Sequence, residues 1–529
     1  MGRRKKKEES TPSFCLTLPM HCQDWQREKL DDVFRVYCYI YNNLLSDRLN
    51  ALKQMERTRA WQNNQKQIAS IYAEMKASFT KNENENEKII ACFRKKLKPF
   101  YDVRNKMISD YGFEDYAFQK RVSKWSTHYK GMAHSAVSQK VASSVWRAFD
   151  EYLYGNGKEI HFKKWIDFRS IEGKTNKTGI MFRDYKVKVY GMSISVTKHE
   201  KNLYEAEALS NRIKYCRIIR RPVKNGWRYF IQLVLEGMPP IKRHKDGTPV
   251  QMLGNGRVGI DIGTQTAGVV ARRYAKLIEL ADKVQNIENQ LRRVNRAMDR
   301  SRRATNPEMF DKDGQIVPID KLPDKCLTKK GKRNWVESKR YMRLSMERRA
   351  LYSKQAEIRE LQHNTLANQL LSLGNEFYVE EMNFKALAKR SKETKKSKKT
   401  GKYLSEKRFG KSLANKAPAK FIEILSKKVR TLGGNFTKIN TREAKASQYN
   451  HLNHEYNKKK LSQRWNELPD GRRIQRDLYS AFLIMNIAKD LKTFDKSLCD
   501  ATYEEFVVYH DLEIERLKTT PMPSSAGVS

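Results

Sequence analysis

Three acidic residues stand in surroundings that are otherwise apolar. Asp261 is the one charged side chain in "VGIDIGTQTAGVV" (258–270), Glu380 follows the hydrophobic run of "NEFYVEEMNF" (375–384), and Asp477 falls within the apolar stripe of "GRRIQRDLYSAFLIMNIAKDL" (471–491). An ionised carboxylate is costly to bury unless it is paired or holds a metal. For Asp261 taken alone, a cap on the turn at Gly263–Thr264 is a sufficient explanation. Three such acids invite a shared one, because magnesium and manganese take hard oxygen ligands and acids from separate elements can bridge two ions. A pair of ions ~3.5–4 Å apart activates water and stabilises the leaving oxygen of an in-line phosphodiester displacement. Glu381 and Asp470 are the nearest competing acids, and the alternative for the whole set is three satisfied core or capping carboxylates.

The elements that must carry these acids can be read from periodicity. "PSFCLTLP" (12–19) reads as one strand, and residues from about 24 to 154 follow a helical pattern. In "SAVSQKVASSVWRAFDEYL", Val137, Val141, Val145, Ala148, Phe149 and Tyr152 share one stripe. The aromatics of "YGFEDYAFQKRVSKWSTHYKG" lie among bases, which suits stacking on nucleotides or plain helix packing. From about 159 to 237 the period becomes two, and "YCRIIRRPVKNGWRYFIQLVLEG" reads as a hairpin turning at Asn225–Gly226. Several short strands with basic outer faces predict a small β-barrel.

Asp261 is then predicted on a strand. Leu277, Leu280, Val284, Ile287, Leu291, Val294 and Met298 recur at spacings of three and four, a coiled-coil seam on one long helix. A second helix from about 335 to 370 makes an antiparallel hairpin with it. Glu380 ends a strand (375–384), a helix runs from about 418 to 432, and "GGNFTKIN" gives a further strand. Residues 441–470 read as a polar loop. The helix carrying Asp477 has Ile474, Leu478, Ala481, Phe482 and Met485 on its apolar stripe. Asp495 to Glu515 reads as an acidic helix, and "TTPMPSSAGVS" as disordered.

Lysine and arginine number 106 against 60 acids, for a net charge of +46 over 529 residues. Such a charge repels itself unless polyanions neutralise it, and nucleic acid is the fitting partner. No long apolar run, signal-peptide core or lipidation motif supports a membrane alternative. The block 384–416 alone carries 13 basic and 2 acidic residues, and is expected to be mobile without a polyanion to hold. The N-terminal "GRRKKKE" reads as a solvated or RNA-touching arm. Seven scattered cysteines form no CxxC pair, which argues against a disulfide framework and a cysteine zinc site and for a reducing cytosol.

The three acidic segments resemble a family. "GIDIGTQTAGVV" is similar to the first RuvC motif of TnpB, the transposon-encoded RNA-guided nuclease, and of the type V CRISPR effectors descended from it. "FYVEEMNFKAL" resembles their second motif and "QRDLYSAFLIMNI" their third. The resemblance covers most of residues 10–493. It implies that Asp261, Glu380 and Asp477 bind two Mg2+ or Mn2+ ions, Glu380 being preferred to Glu381 because it directly follows the hydrophobic run. The family commonly has a zinc ribbon between motifs two and three. Here "ASQYNHLNH" keeps Ser447 and Gln448 but has Asn450 and Asn453 where cysteines would stand, so no zinc is expected, and His451 and His454 read as polar surface.

The implied architecture is α+β and multidomain: a helical recognition lobe, a small wedge-like β-barrel, and a split RNase H-like RuvC nuclease domain with a helix-hairpin insertion. The expected divisions are an N-terminal arm with the first barrel strand (1–23), a recognition domain (24–156) and the rest of the barrel (157–255). RuvC motifs I and II with the hairpin (256–383), a basic lid loop with a RuvC helix and strand (384–440), and a zinc-free target-nucleic-acid-loading segment (441–470) follow. The motif III helix (471–493) and an acidic extension with its tail (494–529) complete the chain. The implied activity is RNA-guided DNA endonuclease, with guide RNA and double-stranded target DNA as partners, one copy or a dimer on each RNA, no membrane, and a prokaryotic cytoplasmic, nucleoid-associated setting. A guide-independent RNase H-fold nuclease or transposase, and a catalytically silent RNA-guided DNA-binding protein, are the alternatives.

Overall fold

The computed structural model describes residues 11–523 except 81, 156, 158, 329–330, 391–408, 461–462 and 521. The N-terminal arm, most of the basic block and most of the C-terminal tail, each given an expectation above, lie outside the described residues. No helix among those described is long and apolar enough to cross a membrane. The chain forms two compact units, 1–221 with 227–240, and 222–226 with 241–529.

The first unit begins with β1 (Ser13–His21), followed by helices α1 (Asp24–Arg57), α2 (Arg59–Ala77), α3 (Glu83–Asp110), α4 (Asp115–Arg121), α5 (Ser123–His128) and α6 (Ser135–Leu153). Strands β2 (Ser170–Glu172), β3 (Ile180–Arg183), β4 (Lys186–Val189) and β5 (Met192–Val196) lead through α7 (Leu203–Leu209) to β6 (Ile213–Val223) and β7 (Gly226–Glu236). The strands make one barrel-like antiparallel sheet in the order β2-β6-β7-β1-β5-β4-β3. Strand β1 pairs with β7 along Ser13–Pro19 and then with β5 at Met20 and His21, so it joins the two halves. Alternation sends Phe14, Leu16, Leu18 and Met20 inward.

One expectation changes here, and one left open is decided. The β6–β7 turn is Lys224–Asn225, and Gly226 already begins β7 at a φ of 144°. Of the aromatics open to either stacking or helix packing, Phe113 and Phe118 pack on Phe149 in the core, each with ring centroids 5.5 Å from it, while Tyr116 stays 78% exposed. The spacing of those rings is as compatible with helix packing as with stacking, and burial separates them.

The second unit holds a five-stranded sheet in the order β10-β9-β8-β11-β12. Strands β8 (Arg257–Ile262), β9 (Thr266–Ala271) and β10 (Tyr274–Glu279) form an antiparallel meander. Helices α8 (Gln285–Thr305) and α9 (Lys339–Leu371) follow, then β11 (Glu376–Glu380). After α10 (Phe384–Leu387), α11 (Gly410–Lys416) and α12 (Pro418–Thr431) comes β12 (Asn435–Ile439), and β11 lies parallel to both β8 and β12. Short elements occupy the next stretch: α13 (Thr441–Ala444), β13 (Tyr449–Asn450), β14 (Glu455–Tyr456), β15 (Trp465–Glu467) and β16 (Arg473–Gln475). Helices α14 (Arg476–Met485) and α15 (Lys496–Thr519) end the fold.

Helices α8 and α9 run antiparallel. Ser301 meets Ser338 and Arg302 donates to the Tyr341 hydroxyl at one end, while Lys283 just before α8 donates to Gln362 at the other. The predicted seam holds from Ile287 to Met298 but not before it. Leu277 lies on β10 and Leu280 in the turn after it. Leu277 continues the three-four spacing by coincidence, because its amide donates to Glu513 of α15, which covers this edge strand.

Each face of the sheet has its own core. Val258, Ile260, Ile262, Phe377 and Val379 pack with Leu370 of α9 and Phe421 and Leu425 of α12. Helix α14 crosses the opposite face and is buried on every side from Leu478 to Met485, as expected of a helix apolar all round. Ile474, assigned above to this helix, is on β16, and the helix starts two residues later. Helix α15 belongs to the same core through Cys499, Tyr503, Phe506 and Leu517, so it is part of the unit rather than an appended extension.

His363 of α9 is fully buried against Phe421 of α12, with no well-formed hydrogen bond at either ring nitrogen and only a marginal approach to the Lys416 backbone. Burial lowers its pKa from 6.5 to about 4. The unfolded chain therefore takes up this proton first, so the stabilising effect is present above pH 6.5 and is lost as pH falls toward 4. At about 1.4 kcal/mol per pKa unit the loss is on the order of 3 kcal/mol. His363→Leu is expected to flatten the acid limb of a urea-denaturation series between these pH values; an unchanged slope would show that the ring is solvated.

Candidate active site

Asp261 sits on β8, and its cross-strand partner on β9 is Gly268. Directly opposed residues share a face, as do residues two apart, so Gly259, Asp261 and Gly268 all point toward α14. At two of these positions no side chain fits. A Cβ on Gly259 would stand 2.1 Å from the Ala481 carbonyl oxygen, and one on Gly268 would stand 2.6 Å from that of Asp477. The glycines let the first turn of α14 lie on the sheet and bring Asp477 over Asp261.

That first turn is itself pinned. The Gln475 side chain accepts from the Leu478 amide at 2.8 Å, and the Gln475 amide donates to Nε2 of buried His510 on α15 at 3.0 Å. Glu380 arrives from a third direction. Strand β11 runs parallel to β8 with Val379 beside Ile260, which places the next residue level with Asp261 on the same face.

The three predicted acids line one cavity of ≈ 450 Å³. Glu381 is exposed and its amide is tied to the Ile439 carbonyl, and Asp470 accepts from the Tyr503 hydroxyl in a turn; neither lines the cavity. The turn at Gly263 is closed by a backbone bond from its own amide to the Thr266 carbonyl. The cavity also takes Thr264, Gln265, Thr266, Ser447 and Gln448, together with the cations Lys458, Lys459, Arg464 and Arg476.

The charges in this cavity are not balanced. Asp261 is only partly open to solvent and is ringed by protein. Burial first, then the charges of Asp477 and Glu380, push its carboxyl well above the usual range against the pull of Arg476. The Ser480 hydroxyl lies beside it without a well-formed bond. Glu380 is 7% exposed, its Oε1 is buried with no hydrogen-bond partner, and burial raises its pKa to about 7. Asp477 is engaged by Arg476, whose Nε and Nη2 donate to Oδ1 at 3.3 and 3.2 Å. Among the described residues no three His, Cys, Asp or Glu side chains form a ready-made metal cage. The acids thus share a cavity and feel one another's charge without closing to ligating range.

An orphaned carboxylate oxygen on Glu380, in one cavity with two further acids, fits a divalent cation by chemistry, since a buried hard oxygen without a hydrogen-bond partner is costly. His451 departs from expectation. It is 1% exposed, with Nδ1 paired to the Tyr479 hydroxyl at 2.6 Å, and burial lowers its pKa to about 4. Only His454 is exposed, its Nδ1 2.8 Å from the Tyr449 hydroxyl. The neighbouring helix α14 is apolar all round and draws His451 inward, which local polarity does not reveal.

The cationic half of the cavity has little signature in the sequence. The run Lys458–Lys460 was its one signal, and it is hidden in a chain rich in lysine.

Together the two units make an α+β protein whose second unit carries acids from β8, β11 and α14 in a single cavity. No protein-family model matches the chain, and neither does any curated protein sequence. Among solved structures, a Cas12f1–sgRNA–target DNA complex aligns over 89% of this chain and 98% of its own, at 9% identity and a TM-score of 0.40. A CRISPR-Cas12f ternary complex aligns over 87% and 81%, at 11% identity and a TM-score of 0.25. Likeness at this level establishes neither a shared fold nor a function.

Proposed function

We propose that the protein is an RNA-guided DNA endonuclease with a single RuvC-type site formed by Asp261, Glu380 and Asp477. The observation that carries the reading is the convergence of these acids, over 200 residues apart in sequence at the extremes, on one cavity that leaves Glu380 Oε1 buried and unpartnered. On this reading the sheet of the second unit is an RNase H-like core, interrupted after β10 by the α8–α9 hairpin. The first unit supplies the wedge-like barrel and the helical recognition lobe. Base pairing selects the target, and the protein grips backbone and A-form shape, for which a charge of +46 is suited.

Asp261, Glu380 and Asp477 would hold two Mg2+ or Mn2+ ions, with no zinc required elsewhere. When bound there, such ions would supply Lewis-acid chemistry to the attacking water and the leaving oxygen. The chain's own contribution is positional. The sheet fixes Asp261 and Glu380, the Gln475 cap fixes the turn bearing Asp477, and Arg476 offers a cation at the same edge. Water would add to phosphorus as the bond to the leaving oxygen breaks, so that one end keeps the phosphate and the other gains a hydroxyl.

RNA recovered with the purified protein should be a discrete species. DNA matching it should be cut only in the presence of both that RNA and Mg2+. Full cleavage by RNA-free protein would instead establish the guide-independent nuclease, and guided binding without cleavage the silent binding protein.

A further inference from the structure

The cavity has two chemically opposite walls. The sheet and the α14 turn present the acids together with Arg476, and Lys458, Lys459 and Arg464 present further cations. Among these cations Lys459 is partly buried. Its Nζ donates at 2.7 Å to Oδ1 of Asn466, which is itself 3% exposed. No carboxylate pairs with Lys459 among the described residues. Burial, and then the nearby Arg476 guanidinium, pull its pKa below the ordinary lysine value.

A partly buried ammonium that donates to an amide, with no carboxylate partner among the described residues, is costly unless an anion completes it. Asn466 has a defined place, because β15 pairs with β16 and sets Asn466 opposite Ile474, three residues before Asp477. The anchor of the cation and the turn bearing the acid therefore belong to one hairpin-to-helix unit. Lys458, beside it on the same wall, is exposed, whereas Lys459 is partly buried.

Building on the nuclease reading above, we infer that Lys459 binds a non-bridging oxygen of the scissile phosphate, opposite the acids, and that Asn466 positions it through the Lys459–Asn466 hydrogen bond. Lys459 and its anchor Asn466 are then part of the active site. The ligand class is a DNA phosphodiester. A cation fixed on such an oxygen stabilises charge that develops as phosphorus is attacked.

The test uses the full ribonucleoprotein with saturating target, comparing single-turnover cleavage by wild type, Lys459→Gln, Lys459→Arg and Asp261→Ala. Glutamine keeps a donor for Asn466 and removes the charge, so folding is preserved. Expected are a loss of about 10²-fold in Lys459→Gln with target binding unchanged, and recovery of most of that loss in Lys459→Arg. A phosphorothioate at the scissile linkage should slow wild type in one diastereomer, and that penalty should shrink in Lys459→Gln. Wild-type cleavage by Lys459→Gln, or an undiminished thio penalty, overturns the assignment while leaving the nuclease reading in place. Undiminished cleavage by Asp261→Ala overturns the reading and this assignment with it.

Discussion

Replacing Asp261 by alanine is expected to slow single-turnover DNA cleavage at least about 10³-fold, on the order of 4 kcal/mol of transition-state stabilisation, with guide and target binding retained. Asp261 lies at the centre of the acid set. It is cross-strand to Gly268, level with Glu380 across β8–β11, and beneath Asp477, so both other carboxylates act on it electrostatically. Its removal takes away the acid that links the other two. Folding should be spared, because Asp261 contributes no apolar packing and its charge is disfavoured by burial and by its neighbours. The melting temperature is expected to stay equal or rise. Gel-shift affinity and a cleavage time course on one preparation separate the two roles. A variant that cuts at the wild-type rate would show that the acids are structural.

The second large effect concerns backbone approach. In Gly259→Ala the new methyl would meet the Ala481 oxygen at 2.1 Å and the Met485 nitrogen at 2.4 Å, both main-chain atoms of a buried helix. Neither can rotate away, so α14 must lift from the sheet, and a loss of about 3 kcal/mol or more is expected. Gly268→Ala meets the Asp477 oxygen at 2.6 Å, closer to the site than to the core. Its stability cost should be smaller. Its effect on cleavage should nevertheless reach about 10²-fold, because an ångström of misplacement is enough to cost that much. Denaturant melts and cleavage rates for the pair distinguish the cases. Equal cleavage by Gly268→Ala and wild type would mean that the position of the α14 turn is irrelevant to chemistry.

The acids were legible in the sequence because each interrupts a pattern whose period is clear. Asp261 breaks a β run, Glu380 terminates one, and Asp477 falls within the apolar stripe of a helix. Their convergence was not contained in any of those local patterns. It depends on β11 lying parallel to β8, and on two glycines whose role appears only when α14 is laid across them.

Errors arose where two periods coincide or where a neighbour decides burial. Leu277 kept a helical spacing while its backbone was taken by β9 and by Glu513 of α15. His451 looked like surface because its partners Tyr479, Phe482 and Tyr503 come from later helices. The cationic wall escaped notice for a compositional reason, since one lysine run carries little information in a chain with 106 basic residues. What marks Lys459 is its buried amide anchor, and that is a property of the β15–β16 pairing.

The most direct measurement is anomalous diffraction from crystals of the protein soaked in Mn2+. Density is expected in the cavity, with carboxylate oxygens of Asp261, Glu380 and Asp477 drawn to about 2.1 Å from the ions and Asp477 released from Arg476. Manganese bound elsewhere, with Glu380 Oε1 still unpartnered and Asp477 still on Arg476, would contradict the account.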